Sequence, residues 1–535
     1  MYRVANPTPM DVVMGVSAMF LVLEATRRST GFALPLLVLI SLAYALWGGV
    51  IPDPWGHRGY TMKRIVALEY MTLNGLFGTP VEVSSTFIIL FTVYGAVLEV
   101  SGAGKFFVDF ALGCMGKSRA GAGRAVTLAS FLLGTVSGSG AATTVTLGSV
   151  AWPLLKRSGY DRESARGLLA AGGIGAILSP PVLGAASFLI AEILKISYLE
   201  VLIMASIPTI LYYASILFMV EGDARRLSLK HVSLGKIDVM ALTRQYWFHF
   251  ASLVTIVIFM VLGFTAMTAV FYSILISIAT SYLNRESALY PKKLIGALAG
   301  STKQVLGVAA TCACAGIILG VINLTGIGLK FSGIIVDLAA GNLYITLIFA
   351  AIILLILGLA LPITASYIVA AVMIAPALTK LGVSEAAAHM FIFYYAVLSE
   401  VSPPTALSPF AAAAITGGNP FKTTMLAWKY TLPAFIVPFM FTTSPEGIGL
   451  LLKGPVLNIF VVTATAMAGV WALSGAVGGY LIRPIGPVER TALAISGVLL
   501  FYAGAVHDVI GSLILVAVII AQLVRNRPEK KARST

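Results

Sequence analysis

The chain has 535 residues, of which 58% are hydrophobic and only 11% charged, with a mean hydropathy of +0.94. So little charge cannot cover a soluble domain. Apolar runs of about 20 residues recur from end to end without β-barrel alternation, so the fold class is an all-α polytopic membrane protein. The formal charge of +14 does not mark a nucleic-acid binder, because the basic residues (Arg225, Arg226, Lys230, Lys292, Lys293, Lys530, Lys531) sit in short loops and the tail, as the positive-inside rule expects.

In chain order, two apolar helices fill an N-terminal segment, 1–59, with no cleavable signal peptide ahead of them. Residues near 60–76 read as an amphipathic segment, and Arg58 just ahead of it, together with Lys63 and Arg64 on it, falls on the outside, against the charge rule. A first unit, 60–235, contains an apolar run, the small-residue stretch Ser137–Thr146, a second run ending near Pro153, and a helix near 162–195 interrupted at Ser179-Pro180-Pro181. A connecting helical hairpin, about 247–283, lies within 236–303. A second unit, 304–445, repeats the first: Ser402-Pro403-Pro404 lies 223 residues after the first Ser-Pro-Pro, and the same offset carries Pro153 onto Pro376 and Gly159 onto Gly382. C-terminal helices and a basic cytoplasmic tail, Arg525–Thr535, complete the chain as 446–535. Loop 156–166 carries Lys156, Arg157, Arg162 and Arg166, whereas its counterpart 379–389 has only Lys380. The two units are therefore expected to be inverted relative to one another.

Within hydrocarbon an unpaired backbone group costs several kcal/mol, so irregular backbone is expected only where it is buried or lines a cavity. Ser137-Gly138-Ser139-Gly140 and Leu361-Pro362-Ile363-Thr364-Ala365-Ser366 then read as the tips of two re-entrant helical hairpins. Pro180 and Pro403 break the crossing helices beside them by removing a ladder hydrogen bond. Four half-helix ends offer positive N-termini to an anion and carbonyls to a cation. Among the ionisable residues in or beside apolar runs (Glu99, Asp109, Glu192, Asp337, His389, Glu400), Glu400 stands out two residues before Ser402. Three roles fit it: binding Na⁺, carrying a proton, or a structural hydrogen bond to the broken backbone.

No enzyme signature is present. Ala111–Ser118 (ALGCMGKS) lacks the first glycine of a phosphate loop, and there is no H-E-x-x-H or G-x-S-x-G. Cys114, Cys312 and Cys314 form no disulfide framework. No cofactor is expected beyond a coupling ion.

The stretches GTVSGSGAA, GSVAWPLLKRSGY, GGIGAILSPPVLGAASFLIAEIL, LPITASYIVAAVMIAPALTKLGV and AVLSEVSPPTALSPFAAAAITGGNPFKT resemble the large membrane subunit of TRAP transporters. The resemblance is closest to the fused permeases that work with TAXI-type solute-binding proteins and covers roughly 60–445. It implies an inverted-repeat, elevator-type secondary transporter of the cytoplasmic membrane, driven by a Na⁺ or H⁺ gradient. A periplasmic binding protein would deliver a small organic acid. The positions carried over are Ser137, Gly138, Ser139, Ala142, Thr143, Ser179, Pro180 and Pro181 in the first unit. In the second they are Pro362, Thr364, Ala365, Ser366, Ser402, Pro403 and Pro404, and any Na⁺ would sit at the same tips.

Three departures qualify this pattern. Thr143 stands where many relatives have Asn, and Leu168-Leu169-Ala170 where they have a carboxylate-bearing stretch, which weakens the first cation site. Glu400 replaces a small residue, pointing to protons beside or instead of Na⁺. Only two helices precede residue 60, so a separate small membrane subunit is expected or the usual four-helix module is truncated. The alternatives are a carboxylate transporter without a binding protein and, behind it, an ion channel.

Overall fold

In the computed structural model the described residues are 4–115, 118–230, 237–403 and 406–524. Among them the chain is helical, with one isolated β-bridge between Tyr480 and Pro484. Nine described helices are long and apolar enough to cross a membrane. A tenth is added if Val239–Tyr246 and Phe248–Val261, bent by 60°, count as one span. The protein is therefore a multi-pass membrane protein. The tail 525–535, part of the basic loop at 231–236, and Gly116 and Lys117 of the phosphate-loop near-miss lie outside the described residues.

Helix ends follow local chemistry. Ser197 opens Tyr198–Arg226 by accepting from the Glu200 amide, and Arg225 and Arg226 close it where the dipole favours cations. The two expected N-terminal helices are Pro9–Thr30 and Ala33–Trp47, and the amphipathic segment is the helix Met62–Met71. All three pack on the 35-residue helix Pro291–Thr325. That helix runs unbroken through position 304, so the connecting segment and the second unit share it. The connecting hairpin is Phe248–Val261 against Ala266–Ser281.

The duplication reaches the helix boundaries. Ala103–Met115, Gly121–Ser137, Gly140–Ser158, Arg162–Gly175 and Ala186–Leu194 have counterparts in Ile327–Leu338, Leu343–Ala360, Ile363–Lys380, Glu385–Ser399 and Leu407–Thr416. Shifted by 223, each pair starts within two residues of register. The units interlock. Leu407–Thr416 packs on Gly140–Ser158 and Arg162–Gly175, while Ala186–Leu194 packs on Ile363–Lys380 and Glu385–Ser399.

Candidate functional site

Each hairpin turns at a two-residue break. Gly121–Ser137 ends on Gly138, whose φ of +55° suits glycine, and the extended Ser139 starts Gly140–Ser158 by accepting from the Ala142 amide at 3.5 Å. Ser137 Oγ lies 2.5 Å from Thr143 Oγ1, closing the tip on itself. In the second hairpin Leu361 and Pro362 are extended, and Pro362 opens Ile363–Lys380 in the position Ser139 holds in the first. The missing N–H of proline costs nothing at a helix start.

The small residues set how closely these parts approach. A Cβ on Gly173 would overlap Thr144 Oγ1, and a Cβ on Gly358 would overlap Ser399 Oγ, so in each unit the hairpin rests directly on its own broken helix. The packing role of small residues is therefore real here, and it coexists with the opening of a cavity at the tips.

At the first Ser-Pro-Pro, Arg162–Gly175 tightens into a 3₁₀ turn, Ala176–Leu178, before the extended Ser179. The following helix satisfies the freed backbone. Thr209 Oγ1 donates to the Leu178 carbonyl at 2.5 Å, Tyr198 Oη donates to the Pro181 carbonyl at 3.2 Å, and the Leu183 amide donates to Tyr198 Oη at 3.2 Å. Ser179 Oγ turns back to the Gly175 carbonyl at 2.9 Å and lies 3.2 Å from Tyr213 Oη. Ser402 Oγ likewise donates to the Leu398 carbonyl at 2.9 Å. These hydroxyls hold the breaks together.

All four breaks line one cavity of about 250 Å³, through Ser137, Gly138 and Ser139, through Val182–Ala185, through Pro362 and Thr364, and through Glu400. Ala142 and Thr143 line a smaller neighbour of about 80 Å³ that shares Ser137. Ser179, Pro180, Pro181, Ala365, Ser366, Ser402 and Pro403 line neither, and Ala365 and Ser366 are fully buried. Pro404 lies outside the described residues. The Glu400 carboxylate receives no hydrogen bond and no ion pair among the described residues, so the structural tie to the broken backbone is not what it makes here. Arg166, buried, supplies a tie of another kind: its guanidinium donates to Thr416 Oγ1 at 2.8 Å and to the Thr416 and Gly417 carbonyls at 3.3 Å, capping the half-helix of the other unit.

Two features escape the sequence reading. Gln304, on Pro291–Thr325, lines both cavities with Phe91 and Thr92. Its signal is an amide side chain in an apolar helix that also carries Asn323, and its counterpart one repeat earlier is Val81, so symmetry gives no hint. Glu69 is fully buried, and neither carboxylate oxygen has a hydrogen-bond partner. It rests against the bare Cα atoms of Gly75 and Gly320. No group of three or more His, Cys, Asp or Glu suited to a metal ion occurs among the described residues.

Comparison with known proteins agrees with this architecture. The family described as the DctM component of tripartite ATP-independent periplasmic transporters matches residues 17–446. The C4-dicarboxylate TRAP transporter large permease protein DctM of Pseudomonas aeruginosa is 35% identical over 106 residues, 20% of this chain and 25% of that protein. The 2,3-diketo-L-gulonate TRAP transporter large permease protein YiaN of Escherichia coli is 27% identical over 223 residues, 40% of this chain and 50% of that protein. The chain thus spans a quarter to a half of the length of these relatives, which are transport permeases and not enzymes. With most of its length matched by one family, the chain belongs to the DctM component family, the large permeases of TRAP transporters.

Proposed function

We propose that this protein is the membrane permease of a TRAP-type secondary transporter that imports a small carboxylate handed over by a periplasmic solute-binding protein of the TAXI type. One observation carries the reading: four backbone breaks, in two register-matched pairs, line a single cavity. The tips and breaks form one side of it. Gln304 and Val308 on Pro291–Thr325, with Phe91 and Thr92 on Ile89–Val100, form the other. A cavity at such a seam suits an elevator in which inverted, interlocked hairpins and half-helices carry the substrate past a fixed wall. The hairpins would be re-entrant and the N-terminal helices would take the place of a small subunit or receive one.

The coupling ion in this reading is a proton carried by Glu400, the one carboxylate lining the cavity among the described residues, with Na⁺ at the tips as the second reading. The experiment is uptake of carboxylates into proteoliposomes containing the purified chain. It should require the binding protein on the outer face. Full-rate uptake by this chain alone at micromolar substrate would replace the proposal with a stand-alone carboxylate transporter. Non-saturating flux would point to a channel.

A further inference from the structure

We infer that the cavity takes a monocarboxylate with an apolar body, an aliphatic or aromatic carboxylic acid, rather than a dicarboxylate. The inference rests on the transport reading above and concerns the same cavity. No lysine, arginine or histidine lines it among the described residues, and its one charged side chain is the carboxylate of Glu400. The polar lining is concentrated at the tips, as the hydroxyls of Ser137, Ser139 and Thr364, with the Gln304 amide on the long helix. These groups and the N-terminal ends of Gly140–Ser158 and Ile363–Lys380 suffice for one carboxylate.

The apolar lining comes from other elements, chiefly Phe91, Val182, Leu183 and Phe188. Its aromatic part is a packed cluster that spans the seam between Ile89–Val100 and Ala186–Leu194. The Phe91 and Phe188 rings are 4.7 Å apart, and Tyr198 lies 4.6 Å from Phe188 and 5.4 Å from Phe91. Such a cluster favours an apolar body and offers a second charge nothing. A dicarboxylate would have to set its other carboxylate either on these rings or beside Glu400, where no lining cation among the described residues meets it and, whenever Glu400 is ionised, a like charge opposes it.

The test is a thermal-shift titration of the purified full chain with isocaproate, 3-phenylpropanoate and succinate. Either monocarboxylate should bind about tenfold or more tightly than succinate, the scale on which apolar pockets discriminate. Val308, half-buried and lining the cavity one helical turn from Gln304, gives the second arm. Val308→Arg supplies a counter-charge and should reverse the order, whereas Val308→Leu should keep it. Succinate binding as tightly as the monocarboxylates, or no shift with either of them at tens of millimolar, overturns the inference, as does an unchanged order in Val308→Arg. A chain that imports a carboxylate with its binding protein yet binds succinate best refutes this inference alone. One that binds isocaproate but transports nothing refutes the transport reading alone.

Discussion

Glu400→Gln separates coupling from binding. Because Glu400 is the one carboxylate lining the cavity among the described residues, the proposed cycle moves one proton per substrate. With a monoanion the cycle moves a proton and one negative charge together, no net charge, so the pH gradient alone sets accumulation. One pH unit is worth about 1.4 kcal/mol, a factor of ten in concentration. Wild-type proteoliposomes held one unit more acidic outside should therefore concentrate substrate about tenfold. The glutamine variant cannot take up or release the proton, and its accumulation should fall to about unity, with no driving force left to set it higher. Exchange of labelled for unlabelled substrate should persist, because the amide keeps the carboxyl's shape and Glu400 has no bonding partner to lose. The assay is steady-state uptake under separate proton and sodium gradients, with exchange as the control. Loss of the sodium dependence with pH-driven accumulation intact would assign Glu400 to Na⁺. Tenfold accumulation and sodium dependence both unchanged in the variant would refute any coupling role.

Three further outcomes are expected. Ser139→Leu places bulk in the cavity and removes a helix cap worth about 1 kcal/mol, so uptake should be lost while the purified protein stays monodisperse with a small drop in melting temperature. Wild-type uptake would make the first tip a packing element only. Gly173→Ala and Gly358→Ala each drive a methyl into a facing hydroxyl across the contact between a hairpin and its broken helix, Thr144 on the hairpin in the first and Ser399 on the broken helix in the second. Each should cost about 1–3 kcal/mol, read as loss of thermal stability, and the two costs should add because the sites lie in different units. Glu69→Leu removes two buried oxygens that have no partners and should raise stability by about 1–3 kcal/mol. A fall instead would mean that the carboxyl does make a favourable contact.

What the residues determined by themselves is what depends on near neighbours along the chain. Membrane spans follow from the run of apolar side chains, and helix breaks from Gly138, Pro180 and Pro362, because φ preference and a missing N–H act within one turn. The duplication was legible because it is a fixed offset, and the helix boundaries keep it. Sequence did not settle which group each freed backbone atom would meet. Ser179 and Ser402 belong to the expected motif, yet their hydroxyls turn back onto their own helices, and the carbonyls of Leu178 and Pro181 go to Thr209 and Tyr198, on a helix beyond the break. Only tertiary packing decided that Glu400 would line a cavity without a partner among the described residues, that Gln304, Phe91 and Phe188 would line it with the tips, and that Glu69 would be sealed against Gly320. The physical reason is that a helix pattern specifies which face is apolar, while the partner of that face is chosen by how closely small residues in distant segments let the backbones approach.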